Sequence, residues 1–272
     1  MSLEIIYAPK GPAQEYAEIN QGDGNGLAVN LYKGCTHGCK YCYVPSTTYW
    51  RVQGGDLRTR TMRFHADRVA RPEALDMFTR DCEKLQAEDS KSPIFMSFTC
   101  DPYQYGTESD DLTRQALLVA SKYGRRISLL TKAGSVGRQD LDLFAQHRDD
   151  LIWEYGVSLV FRAGLQRSKW EPNAAPYRER WHALRDAHER GCRTWVSLEP
   201  VINPEQTLAI IRETRDIVGH YKIGKINGHD QHTKAIERAI DWHDFRRQVK
   251  ETCDEGSYTL KKSLLEATAD MG

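Results

Sequence analysis

The amino-acid sequence predicts an α/β protein built as a partial (β/α)6, TIM-like open barrel. Short runs rich in Val, Ile and aromatic residues alternate six times with amphipathic stretches along the 272 residues. This alternation is typical of parallel strands joined by helical crossovers, and six units are too few for a closed eight-stranded barrel. A doubly wound sheet is the alternative architecture. In both, the reactive site is expected beyond the carboxyl ends of the strands.

The predicted strands mostly follow Gly, Pro or charged residues, and the segments around them predict three regions. Residues 1–26 form an N-terminal extension, residues 27–230 form the barrel core, and residues 231–272 form a C-terminal helical segment. The strands are predicted, in chain order, over 27–32, 94–99, 126–131, 152–160, 193–202 and 221–226.

Helices are predicted where apolar residues recur at spacings of three and four. One spans about 67–87 and has Cys82 in its apolar stripe, which indicates a core cysteine. Another begins at Asn203, an N-cap followed by Pro at the first helical position. A final long helix is predicted over 233–249, and a short helix is predicted within 253–272.

Charge and hydropathy limit the class of protein. The chain has 38 Lys and Arg residues and 38 Asp and Glu residues, so its formal net charge is zero. A neutral chain argues against a generally basic nucleic-acid binder, although a local basic patch is compatible with it. No run approaches the roughly 18 apolar residues of a membrane span, and the first residues lack the features of a secretory signal. We therefore expect a cytoplasmic protein without membrane contact.

The most specific feature is a group of three cysteines after the first predicted strand. Cys35, Cys39 and Cys42 stand in the stretch LYKGCTHGCKYCYVP with the spacing C-x3-C-x2-C, and the other four cysteines stand alone. Such a group in a chain without secretory features indicates a metal or redox site. A structural zinc ion normally takes four protein ligands, and His37 is a conceivable fourth. Three cysteines on an iron–sulfur cluster instead leave one iron open to bind and react with a ligand.

Because an aromatic residue, Tyr41, directly precedes the last cysteine, this loop resembles the signature of the radical S-adenosylmethionine (SAM) enzymes. The resemblance covers about residues 5–230. The stretches SFTCDPYQ, LLTKAG and SKWEPNAAPYRERW are similar to the branch of spore photoproduct lyase, which is often labelled photolyase-like DNA repair proteins. The family fold is a partial (β/α)6 barrel with the cysteines after its first strand.

The resemblance implies a radical SAM enzyme, lyase-like or of another subclass. It implies a 4Fe-4S cluster on the three cysteines, with SAM chelated at the open iron through its amino and carboxylate groups. Reductive cleavage then gives methionine and a 5′-deoxyadenosyl radical, which abstracts hydrogen from a substrate. An electron donor of the flavodoxin or ferredoxin type is the implied partner.

The resemblance also implies which residues near the cysteines and the second strand contact SAM. Tyr41 and Tyr43 flank the last cysteine and would shield the cluster or the adenine, or else serve as ordinary packing aromatics. The family often has a Gly-Gly-Glu-like stretch after the second strand, and this sequence has SFTCD there instead. As in the lyase-like branch, Thr99 and Asp101 would lie near the amino end of SAM. A structural turn before Pro102 is the alternative.

The later strands supply the remaining implied contacts. Lys132 would pair with the SAM carboxylate, and Ser158 would bond the ribose or carboxylate; a solvated lysine and a buried hydroxyl are the alternatives. A carboxylate in a strand is costly to bury unpaired, so Glu199 is expected at the barrel mouth, bonded to a ligand or to an arginine such as Arg162. Cys100 is either a hydrogen donor to a product radical, as a cysteine of the lyase is, or a small wall residue.

A basic segment follows the cysteine loop. Residues 51–71 contain six arginines against Asp56 and Asp67, and Tyr49 and Trp50 precede them. Arginine with neighbouring aromatics is the composition that holds phosphates and stacks bases, which predicts a DNA or RNA substrate for repair or modification. A solvated charged face is the alternative. Modification of a protein or small molecule is a second hypothesis, and a zinc-stabilised nucleic-acid-binding module without catalysis is one from another class.

Overall fold

A sheet of seven parallel strands, which curls into a half-barrel, forms the centre of the structure, a computed structural model. The structure describes residues 3–10, 14, 26–47, 51–66, 68–104, 111–149, 153–228 and 230–269. The strands in these ranges are β1 (Leu27–Val29), β2 (Tyr32–Lys33), β3 (Val69–Ala70), β4 (Ile94–Met96), β5 (Ile127–Thr131), β6 (Trp153–Ser158), β7 (Arg193–Val201), β8 (His220–Lys225) and β9 (Tyr258–Leu260). The order across the sheet is β1-β4-β5-β6-β7-β8-β9, and β2 and β3 form a separate antiparallel pair.

Helices pack on the outer face of this sheet, and the main apolar core lies between the two layers. The helices of the described residues are α1 (Leu57–Ala66), α2 (Ala74–Ala87), α3 (Leu112–Lys122), α4 (Leu141–Gln146), α5 (Gly164–Trp170), α6 (Tyr177–Glu189), α7 (Pro204–Thr214), α8 (Gln231–Ala239), α9 (Trp242–Thr252) and α10 (Lys262–Ala267). None of these helices has the length and apolar character needed to cross a bilayer.

The predicted half-barrel is confirmed. The strand order follows the chain from one edge to the other, whereas a doubly wound sheet reverses its order at one point, so that alternative is wrong. The six predicted strands correspond to β1 and β4 to β8, although β1 ends at Val29 and β4 at Met96. A seventh strand, β9, pairs with β8 in a stretch where only helix is predicted. Three residues give too short an alternation to be recognised.

The structure corrects two predicted helices. The stretch 233–249 is two helices, α8 and α9, because Asp241 separates them and its side chain accepts the N–H of Asp244 at 3.0 Å. In the stretch 67–87 the helix begins only at Ala74, because β3 precedes it and pairs with β2. Hydrophobic periodicity finds both regions but does not locate these ends.

Other local predictions are confirmed. Cys82 is completely buried in the apolar stripe of α2. Asn203 caps α7, because its Oδ1 accepts the N–H of Gln206 at 3.0 Å and Pro204 occupies the first helical position. The predicted N-cap satisfies a backbone donor that the helix itself leaves without a partner.

A second buried cluster, separate from the main core, contains aromatic side chains of the sheet. Its buried members are Trp195 of β7, Phe95 of β4 and Ala28 of β1. Gly156 of β6 lies under the indole of Trp195, and a β-carbon at Gly156 would overlap that ring. The absence of a side chain at this position therefore lets Trp195 lie flat against the neighbouring strand.

A buried carboxylate holds the N-terminal segment to the barrel. Asp81 of α2 is completely buried, and its oxygens accept the backbone N–H groups of residues 4–6 at 2.8 to 2.9 Å. Just beyond these residues, Tyr7 forms an antiparallel bridge with Ala28 of β1. The carboxylate thus positions the segment along the edge of the sheet.

We predict that Asp81→Ala lowers the free energy of unfolding by about 3 kcal/mol, because it leaves buried backbone donors without an acceptor. Asp76→Ala, an exposed position on the same helix, should cost less than about 1 kcal/mol. Chemical denaturation of both variants measures the difference. Equal losses for the two variants would contradict the role assigned to Asp81.

Candidate functional site

The cysteine loop runs from β2 to a short 3₁₀ helix, Val44–Ser46, and α1 packs beside it. The N–H of Cys35 donates to the carbonyl oxygen of Phe64 at 3.0 Å, and Nδ1 of His65 donates to the carbonyl oxygen of Cys35 at 2.7 Å. Within the loop, the N–H of Cys42 donates to the carbonyl oxygen of Cys39 at 3.1 Å. The backbone on both sides of the cysteines is therefore fixed by hydrogen bonds.

The three thiols are free and lie close enough to influence one another. Burial raises the pKa of Cys39 to about 12 and that of Cys42 to about 11, and the nearby Lys132 opposes the rise at both. Burial also raises the pKa of Cys35, with further upward contributions from Cys39 and Cys42. Among the described residues, no three His, Cys, Asp or Glu side chains are grouped to hold a metal ion. Metal ligation requires thiolates, so a positively charged group must accompany their ionisation.

A buried carboxylate, Asp101, joins the first half of the loop to the sheet. Its Oδ2 lies 2.9 Å from Nε2 of His37 and accepts the N–H of Lys132 at 2.7 Å. Its Oδ1 accepts the Thr131 hydroxyl at 2.7 Å and the N–H of Tyr103 at 2.9 Å. Burial alone would raise the pKa of Asp101, but His37 and the other donors together hold it below its usual value. Asp101 is therefore an ionised carboxylate between the ends of β4 and β5.

A second buried carboxylate, Glu171, joins the second half of the loop to the sheet. The Tyr41 hydroxyl donates to its Oε1, and Nη2 of Arg180 lies 2.6 Å from its Oε2. Arg180 also donates to the carbonyl oxygens of Ser158 and Ala175, each at 2.8 Å. Burial acts to raise the pKa of Glu171, but the charges of Arg180 and Lys132 and the hydrogen bonds from Arg180 and Tyr41 together outweigh it, and the pKa is lowered. Both members of this ion pair are fully buried.

These two residues, the carboxylate anchors Asp101 and Glu171, divide the loop between them. The x3 interval of C-x3-C-x2-C contains His37, which bonds to Asp101, and the x2 interval contains Tyr41, which bonds to Glu171. A buried charge is stable only while its donors stay in place. The arrangement thus fixes both intervals of the loop relative to the carboxyl ends of the strands.

Some of the sequence-predicted SAM contacts lie together against this loop. Tyr41 belongs to the loop, and Nζ of Lys132 is 5.9 Å from the centre of its ring. Ser158 is buried at the end of β6, and its carbonyl oxygen is bonded to Arg180. Asp101 contacts the loop directly through His37. The ends of β4, β5 and β6 therefore connect Asp101, Lys132 and Ser158 to the loop that contains Tyr41, directly or through Arg180.

Three other predicted contacts, Thr99, Cys100 and Tyr43, have different surroundings. The N–H of Thr99 donates to Oδ1 of Asn30 at 2.8 Å, which ties the turn after β4 to the end of β1. Cys100 is half-buried against the main core, and burial raises its pKa to about 11. Tyr43 is 52% exposed, although it directly follows Cys42.

Glu199 lies on β7, and its carboxylate crosses Gly224 of the neighbouring β8. A β-carbon at Gly224 would overlap that carboxylate, so the absence of a side chain at Gly224 leaves the space that the Glu199 carboxylate occupies. Arg162, the arginine suggested as a partner of Glu199, pairs with Glu213 in the structure, where its Nε lies 2.6 Å from Oε2. Glu213 is on α7, more than forty residues further along the chain, and local sequence does not indicate this partner.

Sequence reasoning missed Glu171 and Arg180, although the second left a signal. Arg180 stands on the apolar stripe of α6, between the buried residues Tyr177 and Leu184. A charged residue in such a stripe requires a buried partner. Glu171 has no comparable signal, because it lies in the irregular stretch after α5.

The basic segment 51–71 is described except for Asp67, and Tyr49 and Trp50 lie outside the described residues. Several of its arginines bind backbone carbonyl groups of the protein itself. Arg51 donates to Ser46, Arg60 to Pro45 and Gly55, Arg63 to Gln53, and Arg68 to Pro102, at 2.6 to 3.5 Å. These contacts order the segment beside the cysteine loop and leave the positive charge of the guanidinium groups in place.

Comparisons with known proteins agree with this geometry. The family model of the Radical SAM superfamily matches residues 29–218. The protein ORF301 of Acidianus two-tailed virus is 26% identical over 200 residues, which cover 71% of this chain and 62% of that protein. The protein MJ0683 of Methanocaldococcus jannaschii is 26% identical over 206 residues, which cover 75% of this chain and 71% of that protein.

Solved structures share the fold at low sequence identity. SuiB of Streptococcus suis bound to S-adenosylmethionine has a TM-score of 0.60 at 13% identity, with 90% of this chain and 52% of SuiB covered. A cysteine-to-alanine variant of spore photoproduct lyase with a dinucleoside spore photoproduct has a TM-score of 0.56 at 14% identity, with 87% of this chain and 76% of the lyase covered. The chain thus spans 62% of the length of ORF301 and 52% of that of SuiB.

The family match extends over more than half of the chain and includes the whole cysteine loop. It agrees with the parallel half-barrel and with the C-x3-C-x2-C spacing at the carboxyl end of the first strand. On this evidence the chain belongs to the radical SAM superfamily.

Proposed function

We propose that this radical SAM enzyme holds a 4Fe-4S cluster on Cys35, Cys39 and Cys42 and binds SAM at the iron that they leave open. When bound, the cluster supplies the electron that cleaves SAM to methionine and a 5′-deoxyadenosyl radical, which abstracts hydrogen from a substrate. The observation that carries the proposal is the loop itself: three free thiols within eight residues, held between two buried, ionised carboxylates. The iron ions supply the positive charge that buried thiolates need.

The residues around the loop have separate tasks in this proposal. Lys132, whose charge acts on Cys39 and Cys42, pairs with the carboxylate of SAM. The carboxylate anchors stay ionised and keep the loop in position. Remaining contacts to SAM are proposed for Tyr41, Tyr43, Thr99, Ser158 and Glu199, with Asp101 near the amino end.

Cys100 is proposed to return a hydrogen atom to the product radical. Because burial raises its pKa to about 11, its thiol keeps its proton at neutral pH, as a hydrogen-atom donor must. The seven cysteines of the protein are all free, which favours a reducing, cytoplasmic location for it.

Nucleic acid is the proposed substrate class, with lyase-like DNA repair as its specific form. Support comes from the fold shared with spore photoproduct lyase, whose structure contains a dinucleoside photoproduct. The alternative, modification of a protein, has comparable support, because SuiB has the same fold and was also solved with its precursor peptide. Entry of nucleic acid through the segment 51–71 stays a prediction.

We expect anaerobically purified protein to be brown, to contain about four irons per chain and to form 5′-deoxyadenosine from SAM and dithionite. Cys39→Ala should lose both iron and product, because it removes a ligand. Cys253→Ala, a change outside the loop, should keep both. Iron analysis and chromatography provide the measurement. Protein that carries zinc alone would overturn the proposal and favour the zinc-stabilised module. Iron-loaded protein that leaves SAM intact would overturn the proposed cleavage.

If Glu171 holds the loop in position, variants that weaken its contacts should destabilise the protein to different degrees. Tyr41→Phe removes the hydroxyl that bonds to Glu171 and should lower the free energy of unfolding by about 2 kcal/mol. Glu171→Gln should cost about 4 kcal/mol, because it leaves the Arg180 guanidinium buried without its charge partner. In cluster-free protein, alkylation of the loop thiols should be faster in both variants, since the loop opens more often.

The matched control is Tyr43→Phe, which removes a hydroxyl on the other side of Cys42 from a side chain that is half exposed. Mass spectrometry after timed alkylation reports labelling at each cysteine. Equal labelling rates in wild type, Tyr41→Phe and Tyr43→Phe would show that the anchors do not hold the loop.

The substrate proposal predicts a salt-dependent interaction. A single-stranded DNA oligonucleotide should bind, and its affinity should fall steeply between about 50 and 200 mM salt, because phosphate contacts release counterions. Fluorescence anisotropy measures the binding, and mass spectrometry detects altered nucleotides after SAM cleavage. A neutral peptide of similar mass is the control. Salt-independent binding of the oligonucleotide, or alteration of the peptide alone, would favour the protein alternative.

A further inference from the structure

His37 is a buried histidine inside the cysteine motif, in the x3 interval between Cys35 and Cys39. Its side chain is 2% exposed, and its Nε2 lies 2.9 Å from Oδ2 of Asp101. Its carbonyl oxygen accepts the N–H of Asn173 at 3.1 Å. The ring and the backbone of His37 are thus both held in place by residues outside the loop.

The other ring nitrogen, Nδ1, is a polar atom that the protein encloses. In the described part of the chain, Nδ1 of His37 is buried and meets no hydrogen-bond partner. Burial acts to raise the pKa of Asp101, and the charge of His37 is the largest contribution that lowers it. The charged ring carries a hydrogen on both nitrogens, of which Nε2 donates its own to Asp101. A buried donor without a partner costs free energy, so Nδ1 points to a group that completes the site.

A second histidine, His65 of α1, lies beside the same cysteine and has a different role. Its Nδ1 donates to the carbonyl oxygen of Cys35 at 2.7 Å. Burial lowers the pKa of His65, and the charge of the nearby His37 adds to this effect, so the neutral ring is favoured. In a neutral ring with its hydrogen on Nδ1, the other nitrogen can only accept a hydrogen bond. Of the two rings, His37 is therefore the one that offers a donor.

The three cysteines differ in the groups that favour their ionisation. Burial raises the pKa of all three, and the charge of Lys132 opposes this rise at Cys39 and Cys42. At Cys35 the contact that opposes burial is a hydrogen bond from the backbone of His37. Polar groups of His37 thus act on the first cysteine of the motif, and Lys132 acts on the other two.

We propose that Nδ1 of His37 donates a hydrogen bond to a sulfur atom of the 4Fe-4S cluster and thereby makes the cluster easier to reduce. The inference rests on the proposed function, because it needs the cluster on the three cysteines. Three thiolates on an oxidised 4Fe-4S core give a net negative charge, and the electron that reduces the cluster adds to it. A donor at a sulfur stabilises the added charge and so raises the reduction potential. The electron comes from the reductant, and the ring keeps its proton.

Ligation of an iron through Nδ1 is the other role open to His37. A metal-binding histidine often donates its second ring N–H to a carboxylate, as Nε2 does here to Asp101. Such ligation needs a ring without a hydrogen on Nδ1, and it would occupy the iron at which SAM is proposed to bind. A hydrogen bond to sulfur leaves that iron open, so the donor role agrees with membership of the radical SAM superfamily.

The test measures the midpoint potential of the cluster in iron-loaded protein without SAM, so it needs no turnover. Electron paramagnetic resonance (EPR) spectroscopy of samples poised at a series of potentials gives this value. His37→Phe replaces the ring by an apolar ring of similar size. The control Thr36→Ala lies in the same interval of the motif. It removes a hydroxyl that donates to Oε1 of Gln104 at 2.9 Å, so it weakens the loop and leaves the histidine.

We expect His37→Phe to lower the equilibrium constant for reduction by about tenfold, which is a shift of about 59 mV for one electron. Thr36→Ala should keep the midpoint potential of wild type. An unchanged potential in His37→Phe would overturn the proposal. An equal shift in the two variants would overturn it as well, because a weakened loop would then account for the effect.

A second measurement uses the wild-type sequence and decides the question if a variant does not fold. Protein grown with histidine that carries nitrogen-15 at Nδ1 should show a weak coupling of this nucleus to the reduced cluster in pulsed EPR spectra. Loss of the coupling in His37→Phe assigns it to this ring among the nine histidines. Absence of any coupling in wild type overturns the proposal, and a strong coupling, typical of a ligated nitrogen, overturns it in favour of ligation.

These outcomes differ from a failure of the proposed function. Protein that holds zinc and no iron cluster contradicts the proposed function, and this inference is overturned with it. Protein that holds the cluster and cleaves SAM, but shows neither the nitrogen-15 coupling nor the potential shift, overturns the role of His37 alone.

Discussion

Two ionised carboxylates buried beside one short loop are the constraint on which the site depends. A buried charge is tolerated only where donors and opposite charges surround it, and the cost of losing one of them is several kcal/mol. Asp101 is surrounded by four donors from three elements, and Glu171 by a guanidinium and a phenol. Because one donor of each set belongs to the cysteine loop, a shift of the loop would leave a buried carboxylate with one donor fewer. The folded state would lose free energy as a result. Electrostatics, more than apolar packing, thus sets its position.

The same carboxylates connect the loop to the register of the sheet. Asp101 follows β4 and accepts the backbone N–H of Lys132 after β5. Through Arg180, Glu171 is joined to the backbone of Ser158 at the end of β6. Parallel strands end at one edge, so three consecutive strands supply partners to a single loop. The site is consequently as rigid as the pairing of β4, β5 and β6, and a change in strand register would move the loop with it.

The sequence is informative where a feature is local and periodic, and silent where the partner is distant. The half-barrel, the buried Cys82, the cap at Asn203 and the cysteine spacing could all be predicted, since each depends on neighbouring residues. Strand β9 and the break between α8 and α9 could not, because three residues carry little periodicity and α8 and α9 are both amphipathic. The partners of Glu171 and Arg162 are set by the fold, and only Arg180, a charge within an apolar stripe, could have indicated a buried pair.

A net charge of zero excludes a uniformly basic surface. It says little about how a small patch of the surface attracts a charged partner. At physiological ionic strength the Debye length is about 8 Å, so exposed charges farther apart than this are largely screened from one another. A partner therefore senses the cations nearest to its point of contact and not the sum over the chain. The position of Lys40 inside the cysteine motif matters more in this respect than any balance of 38 charges against 38. The motif that contains the three cysteines thus also presents an exposed cation, Lys40, to the solvent.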